Sequence, residues 1–358
     1  VYKRQLVEQI EAKNKCKKKL PTWFSNKLFY YPNKLNIEQT SSEITAKYKS
    51  NLINGNELID LTGGLGIDSY YFSKTFKKVT HCEVDSKLSE IAKYNFKQLD
   101  IKNVEFISSN GIEYLKIHQK KHDCIFVDPS RRHNVKGKVF YLKDCEPNIV
   151  KELETLFNCS DKIIVKASPM LDLSVGITEL KDVKEIHIIA INNEVKELLF
   201  ILEKERVEDI IIKTVNIKNN YCEYANFTLN DIKNSTSEYG EICNYLYEPN
   251  AAIMKSGAFN LIAKVYGLKK LNKNTHLYTS DEVVDFPGRV LEVNEVIHFN
   301  KKVLKKRLTN KHLNVVTRNF SIKPEKLKSM FSIKEGSDKY AYFTHDENNN
   351  KVVILCHK

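Results

Sequence analysis

The 358 residues carry 57 Lys and Arg against 45 Asp and Glu, a formal net charge of +12, with a hydrophobic fraction of 42%. That length suits two or three domains with real cores, and the basic surplus favours an anionic partner, although a Lys-, Asn- and Ile-rich composition raises charge by itself. No secretory signal or long apolar segment is present, and none of the eight cysteines forms a CxxC pair, so the expectation is a cytoplasmic protein with reduced thiols, no membrane contact and no metal site.

The chain begins at Val1, so its natural start is expected upstream. Residues 1–20 read as a helix, broken by Pro21-Thr22-Trp23 and again by Tyr30-Tyr31-Pro32. Gln39 to Leu52 reads as a second helix, in which Ser41 or Ser42 is also a respectable N-terminal cap. The stretch 57–68, ELIDLTGGLGID, is a short apolar strand that turns at once into a helix. Its three glycines, Gly63, Gly64 and Gly66, remove side-chain bulk where a ligand approaches the backbone. No Gly-Lys-Ser/Thr closes the loop, which excludes an ATPase-type phosphate loop, and it is not a clean GxGxxG. An ordinary glycine-rich turn stays open as the alternative.

A second strand, Lys78 to Asp85, ends in acids. Glu83, then Asp85, is placed to accept from both hydroxyls of a ribose, a group that NAD and S-adenosylmethionine share. A helix follows from Lys87 to Leu99, then a strand over 104–107 ending at Ser108-Ser109-Asn110-Gly111. A fourth strand, 123–127, ends in Asp128-Pro129-Ser130-Arg131-Arg132. Four strand ends thus place polar residues at one edge of one sheet, where open parallel sheets bind ligands. Further strands are expected over 163–166 and 185–191, a helix over 194–202, and late strands over 209–215 and 224–229.

LIDLTGGLGID, HCEVD, SSNG and DPSRR together resemble a class I S-adenosylmethionine-dependent methyltransferase over residues 58–170. The closer resemblance is to bacterial methyltransferases with a C-terminal THUMP-like domain. It adds YPNKLNIEQTSSEITAKYK, SPMLDL, YLYEPNAAIMKSGAFNLIAK and THLYTSDEVVDFPGRV, and so reaches across most of the chain. It implies a doubly wound, mostly parallel Rossmann-like α/β sheet, with a helical N-terminal segment (1–56) on a methyltransferase domain (57–240). A small ferredoxin-like segment (241–286) and a THUMP-like α+β domain (287–358) follow. The implied cofactor is S-adenosylmethionine, held by Gln39, Ser42, Thr45, Asp60, Gly63, Gly64, Gly66, Asp68, Glu83, Asp85, Asn110 and Asp128.

Asp128, Pro129, Ser130 and Arg131 resemble the catalytic strand end. In relatives with Asn/Asp-Pro-Pro-aromatic there, the acidic or amide oxygen accepts from an exocyclic amine and the ring stacks on the base. Here Ser130 replaces the second proline and Arg131 stands where the ring would be. The implied partner is RNA, tRNA or rRNA, methylated on a base nitrogen, with Arg132 and the basic helix residues Lys305, Lys306 and Arg307 on phosphates. A non-catalytic RNA-binding protein on the same fold and a nicotinamide-dependent oxidoreductase are the alternatives.

Overall fold

The computed structural model describes residues 2–131, 140–205, 208–336 and 338–358. They fall into two compact units, Val1–Ile186 with Glu197–Glu208, and His187–Lys196 with Asp209–Lys358.

The first unit opens with helices α1 (Tyr2–Lys19), α2 (Pro21–Ser25), α3 (Lys34–Gln39) and α4 (Glu43–Ser50). The helix expected over 39–52 is shorter, Glu43–Ser50, and Gln39 instead closes the preceding helix α3. Thr40 and Ser42 are extended, and the Asn33 and Ser42 side chains cap α3 and α4 by accepting from the amides of Asn36 and Thr45. Ala12, Cys16, Leu20, Trp23, Ile37 and Ala46 pack on Leu65, Ile67, Tyr71 and Leu88. Trp23 is fully buried, and burying a large apolar side chain contributes about 1.5–3 kcal/mol. This packing ties the N-terminal helices to the helix that follows the glycine loop.

The sheet of this unit is built from β1 (Gly55–Asp60), β2 (Phe76–Cys82), β3 (Val104–Ile107), β4 (Cys124–Val127), β7 (Lys162–Ala167) and β9 (Glu194–Glu203). Between them run α5 (Ile67–Phe72), α6 (Ser86–Gln98), α7 (Gly111–His118), the short ladder β5 (Ser130–Arg131) with β6 (Cys145–Glu146), α8 (Ile149–Cys159), α9 (Leu173–Glu179) and β8 (Val183–Ile191). The order is β9-β7-β4-β1-β2-β3. Pairs from β7 to β3 are parallel and β9 runs antiparallel to β7, so the Rossmann-like sheet is mixed. The chain winds one way from β1 through β2 to β3 and the other way to β4 and β7. A crevice opens where the direction switches, beyond the carboxyl ends of β1 and β4.

Another element differs from the reading of the sequence. Residues 194–202 form a strand, not a helix. Asn192 and Asn193 both have positive φ, 49° and 66°, and make a two-residue turn that sends β8 back as β9. Leu198 to Leu202 are buried on both faces, and such a run carries no period that separates strand from helix.

The second unit contains the antiparallel hairpin β10 (Ile211–Ile217) and β11 (Cys222–Thr228), followed by α10 (Leu229–Asn234). Its sheet has seven strands: β12 (Tyr245–Pro249), β13 (Lys269–Asn272), β14 (Thr275–Ser280), β15 (Gly288–His298), β16 (Asn314–Thr317), β17 (Lys339–His345) and β18 (Lys351–His357). Their order is β13-β14-β12-β15-β18-β17-β16. Helices α11 (Ala251–Ser256) and α12 (Leu261–Tyr266) bring Ile253 and Ile262 to a core with Tyr247, Tyr278 and Phe286. Helices α13 (Lys301–Leu308) and α14 (Pro324–Phe331) bring Leu304, Leu308, Leu327 and Phe331 to another core with Phe343. The α+β part at the C-terminus thus shares one sheet with the segment before it, through the β12–β15 pairing.

Candidate active site

A cavity of about 410 Å³ lies at the switch point of the first sheet. That is within the usual range for small-molecule sites. The glycine loop forms its floor. A Cβ on Gly63 would come within 2.3 Å of His81 Nε2, so no other residue lets the loop lie on this ring. His81 is fully buried, and burial pushes its imidazole down to about 4, which keeps it neutral under the loop. Gly66 starts α5 at φ 83° and packs on Phe96.

Glu83 stands at the end of β2. Its Oε2 accepts from the Gly64 amide at 2.8 Å and its Oε1 from the Asp85 amide at 2.8 Å. Each carboxylate oxygen keeps capacity for a second donor, so the side chain both anchors the loop and can still take two hydroxyls. Asp85 and Asn110 line the cavity while capping α6 and α7. Ser109 and Gly111 continue the wall, and Gly111 sits against the Leu61 backbone, where a Cβ would come within 2.7 Å.

Asp60 lies beneath the floor. It is buried, accepts from the Thr62 amide (3.0 Å) and the Ser69 hydroxyl (2.7 Å), and so sets the loop's entry. Burial pushes its carboxyl up to about 7, against the pull of those two bonds. Ser42 and Thr45 do not line the cavity; their hydroxyls face each other at 3.2 Å within the α4 cap. Gln39 does line it, together with Asn36, Thr40 and Ser41.

A charged network closes one wall. Lys49 is wholly buried, and its Nζ reaches Ser41 Oγ (2.9 Å), Asp68 Oδ1 (2.9 Å) and Glu197 Oε1 (2.9 Å). Asp68 lines the cavity and also accepts from Ser41 Oγ at 2.6 Å. Burial raises the Asp68 carboxyl, but Lys49 and Lys166 outweigh it and hold the group below its ordinary range. On the neighbouring strand end, Lys166 of β7 pairs with Asp128 Oδ2. Burial alone would push that ammonium down; Asp128, Glu197 and Asp68 outweigh burial and hold it above its ordinary range. Asp128 is fixed from the other side, its amide donating to Thr62 Oγ1 at 2.7 Å. Ser130 lines the cavity beside Glu146 and Pro147.

Arg132 lies outside the described residues, and of Arg131 only the backbone is described, paired with Cys145. Lys305, Lys306 and Arg307 belong to the second unit, exposed on α13; Arg307 is held by Glu295. Among the described residues, no group of three or more His, Cys, Asp or Glu is arranged to hold a metal, and no helix is long and apolar enough to cross a membrane.

Lys49 and Glu197 were not singled out from the sequence, and Lys166 stands there only within the strand expected over 163–166. Lys49 reads there as an ordinary basic residue in the last turn of a helix. Glu197 is a lone acid ahead of the apolar run of β9, a signal visible only once 194–203 is read as a strand.

Along its whole length the chain is similar to a crystal structure from Porphyromonas gingivalis W83, a provisionally designated methyltransferase. The identity is 32%, the TM-score 0.92, and the match covers 100% of this chain and 90% of that one. The chain belongs to that family. Residues 245–287 match a ferredoxin-like domain and residues 288–358 a THUMP domain-like family, so this is a class I methyltransferase-like fold with a C-terminal THUMP-like domain. A stretch of 84 residues is also 39% identical to an uncharacterised RNA methyltransferase of Mycoplasma mobile, covering 23% of each chain.

Proposed function

We propose that the chain is an S-adenosylmethionine-dependent methyltransferase that acts on a base nitrogen of RNA, tRNA or rRNA. The observation that carries this is the convergence on one cavity of the glycine loop, Glu83, Asn110 and Asp128, from the ends of β1 to β4. The residues fit the cofactor. Glu83 has acceptor capacity for the two ribose hydroxyls, and Gly64 has open space above it, the nearest atom to an added Cβ being 3.9 Å away. Ser109, Asn110 and Gly111 offer a wall for the adenine. Gln39, Ser41 and Asp68 offer acceptors and donors for the amino-acid end.

When bound, the cofactor supplies an electrophilic methyl group. The chain's task is alignment. Lys166 occupies Oδ2 of Asp128, which leaves Oδ1 to accept an N–H from the acceptor amine. That bond turns the nitrogen lone pair toward the cavity, and the proton shed on methylation passes to Asp128 or to water. Support for RNA comes from the net charge of +12, the THUMP domain-like family match and the partial similarity to an RNA methyltransferase.

The test has two stages. Calorimetric titration with S-adenosylmethionine and, separately, NAD should show binding of the first alone. Methyl-label transfer to total RNA from cells lacking the gene, with nucleoside mass analysis, should show one labelled base. Asp128→Asn should lower the single-turnover rate by about tenfold to a thousandfold with little change in cofactor affinity. Near-normal rates in Asp128→Asn would leave that carboxylate a purely structural part.

A further inference from the structure

A second cavity, of about 430 Å³, lies within the second unit. It is lined by Glu248-Pro249-Asn250 at the end of β12 and Gly288-Arg289 at the start of β15. The β10–β11 hairpin adds Asn216, Lys218 and Glu223. Gly288 is there for contact: a Cβ would fall 2.2 Å from the Glu248 carbonyl oxygen. Close approach of the two strands seats Arg289 beside Glu248.

The hydrogen-bond inventory of this cavity is lopsided. Glu248 Oε2 accepts from Arg289 Nη1 (3.0 Å) and the Tyr342 hydroxyl (2.7 Å), and Arg318 pairs with Oε1. Glu223 accepts from Asn216 Nδ2 (2.8 Å), Asn250 Nδ2 (3.0 Å) and Lys218 Nζ. Both oxygens of Glu223 are therefore taken by the protein, and Glu248 is held by Arg289, Tyr342 and the ion pair with Arg318. The donors are not all taken. Arg289 Nη1 gives its two protons to Glu248 and Tyr342, while Nε and Nη2 meet no acceptor among the described residues. Lys218 uses two protons, on Glu223 and the Tyr221 hydroxyl, and Asn216 and Asn250 use one amide proton each. The Arg289 guanidinium carbon also lies over the Tyr340 ring, 4.9 Å from its centre, which with the bonds to Glu248 and Tyr342 restrains its fork in advance.

A ligand that completes this set must bring several acceptor oxygens and negative charge. We propose that this cavity binds a phosphate group. A free nucleotide and the backbone of a nucleic acid present the same oxygens. The proposal does not rest on methyl transfer, and its failure is separable from failure of that reading.

The full chain is titrated calorimetrically with inorganic phosphate, a nucleoside monophosphate and a short single-stranded RNA, as wild type, Lys218→Gln and Arg289→Lys. Arg289→Lys keeps a charge against Glu248 but removes the fork; Lys218→Gln leaves Glu223 its two amide partners. Wild type should bind phosphate saturably, and both variants should weaken it about fivefold or more. S-adenosylmethionine affinity, measured alongside, should not move. If RNA binding weakens too, with a flatter salt dependence, the phosphate is that of a nucleic acid; if only phosphate and nucleotide weaken, it is a free ligand. No saturable binding of any probe by wild type into the millimolar range overturns the proposal. So does unchanged phosphate affinity in the folded variants, and Lys218→Gln alone decides if Arg289→Lys does not fold.

Discussion

Lys49 offers the sharpest test of how the cavity wall is held. Its ammonium hydrogen-bonds Ser41 and Glu197 and pairs with Asp68, and its side chain has no exposure. Lys49→Met fills the volume but leaves Asp68 and Glu197, their side chains 11% and 4% exposed, without this shared cation. Removing one partner of a buried pair costs about 3–5 kcal/mol, because the other charge stays buried and unmatched. For a unit of this size that is a fall of about 6–20 °C in melting temperature. The protein has a single tryptophan, Trp23, buried in the first unit, so its fluorescence reports that unit alone. Adding Glu197→Gln should recover a large part of the loss. The loss should also depend on pH. In wild type Asp68 is held below its ordinary range, so its contribution is present above about 4 and fades as pH falls through its folded value. Without Lys49, only Lys166 and the Ser41 hydroxyl oppose burial at Asp68, so its pKa rises and the deficit is larger at pH 7 than at pH 4. A Lys49→Met protein that melts within about 2 °C of wild type at pH 7 would refute the reasoning, as would no recovery from Glu197→Gln.

Gly63→Ala should lower S-adenosylmethionine affinity by about tenfold or more, since its Cβ would strike the His81 ring and the loop must lift; equal affinity by calorimetry would contradict the loop's role. Asp60 sits near 7 folded and near 3.8 unfolded, so the folded state holds a proton the unfolded state lacks, and Asp60 costs stability that grows as pH rises from about 4 to 7. Asp60→Asn can accept from Thr62 and donate to Ser69, so its stability relative to wild type should climb across that window and level off above it. Urea denaturation read by Trp23 checks this, and a pH-independent difference would count against it. On α13, Lys305→Ala with Lys306→Ala should flatten the salt dependence of RNA affinity by about 0.7–0.9 per lost phosphate contact. Arg307→Ala should do less, because Glu295 already holds that guanidinium.

The first sheet was legible because its signals are local. Three glycines after an apolar run, acids at the second strand end and Asp-Pro at the fourth can each be read without knowing the fold. The groups that act at a distance were not legible. Lys49 and Glu197 are 148 positions apart, and only the turn at Asn192-Asn193 brings β9 beside β7. Caps were the other confusion. Ser42, Asp85 and Asn110 are all good caps by composition, yet two of the three line the cavity and Ser42 does not. A cap satisfies helix amides whether or not a ligand is near, so the residue type alone does not separate the two roles.

The departure at Asp128 to Arg131 then has a physical reading. In the resembled motif, with proline at the third position and an aromatic at the fourth, rigidity and stacking are what would hold the acceptor base. Here β5 supplies the rigidity, because Ser130 and Arg131 are paired with Glu146 and Cys145. Lys166 supplies a second constraint by occupying one oxygen of Asp128 and the Thr62 hydroxyl a third by taking its amide proton. The carboxylate is thus held in place by the protein itself, and under the proposed function its other oxygen is the one that would orient an amine. Orientation is most of what transfer from a sulfonium requires, since the methyl group is already a good electrophile and the nitrogen's own lone pair is the nucleophile. Under the proposed function, a site built in this way needs no general base of high pKa.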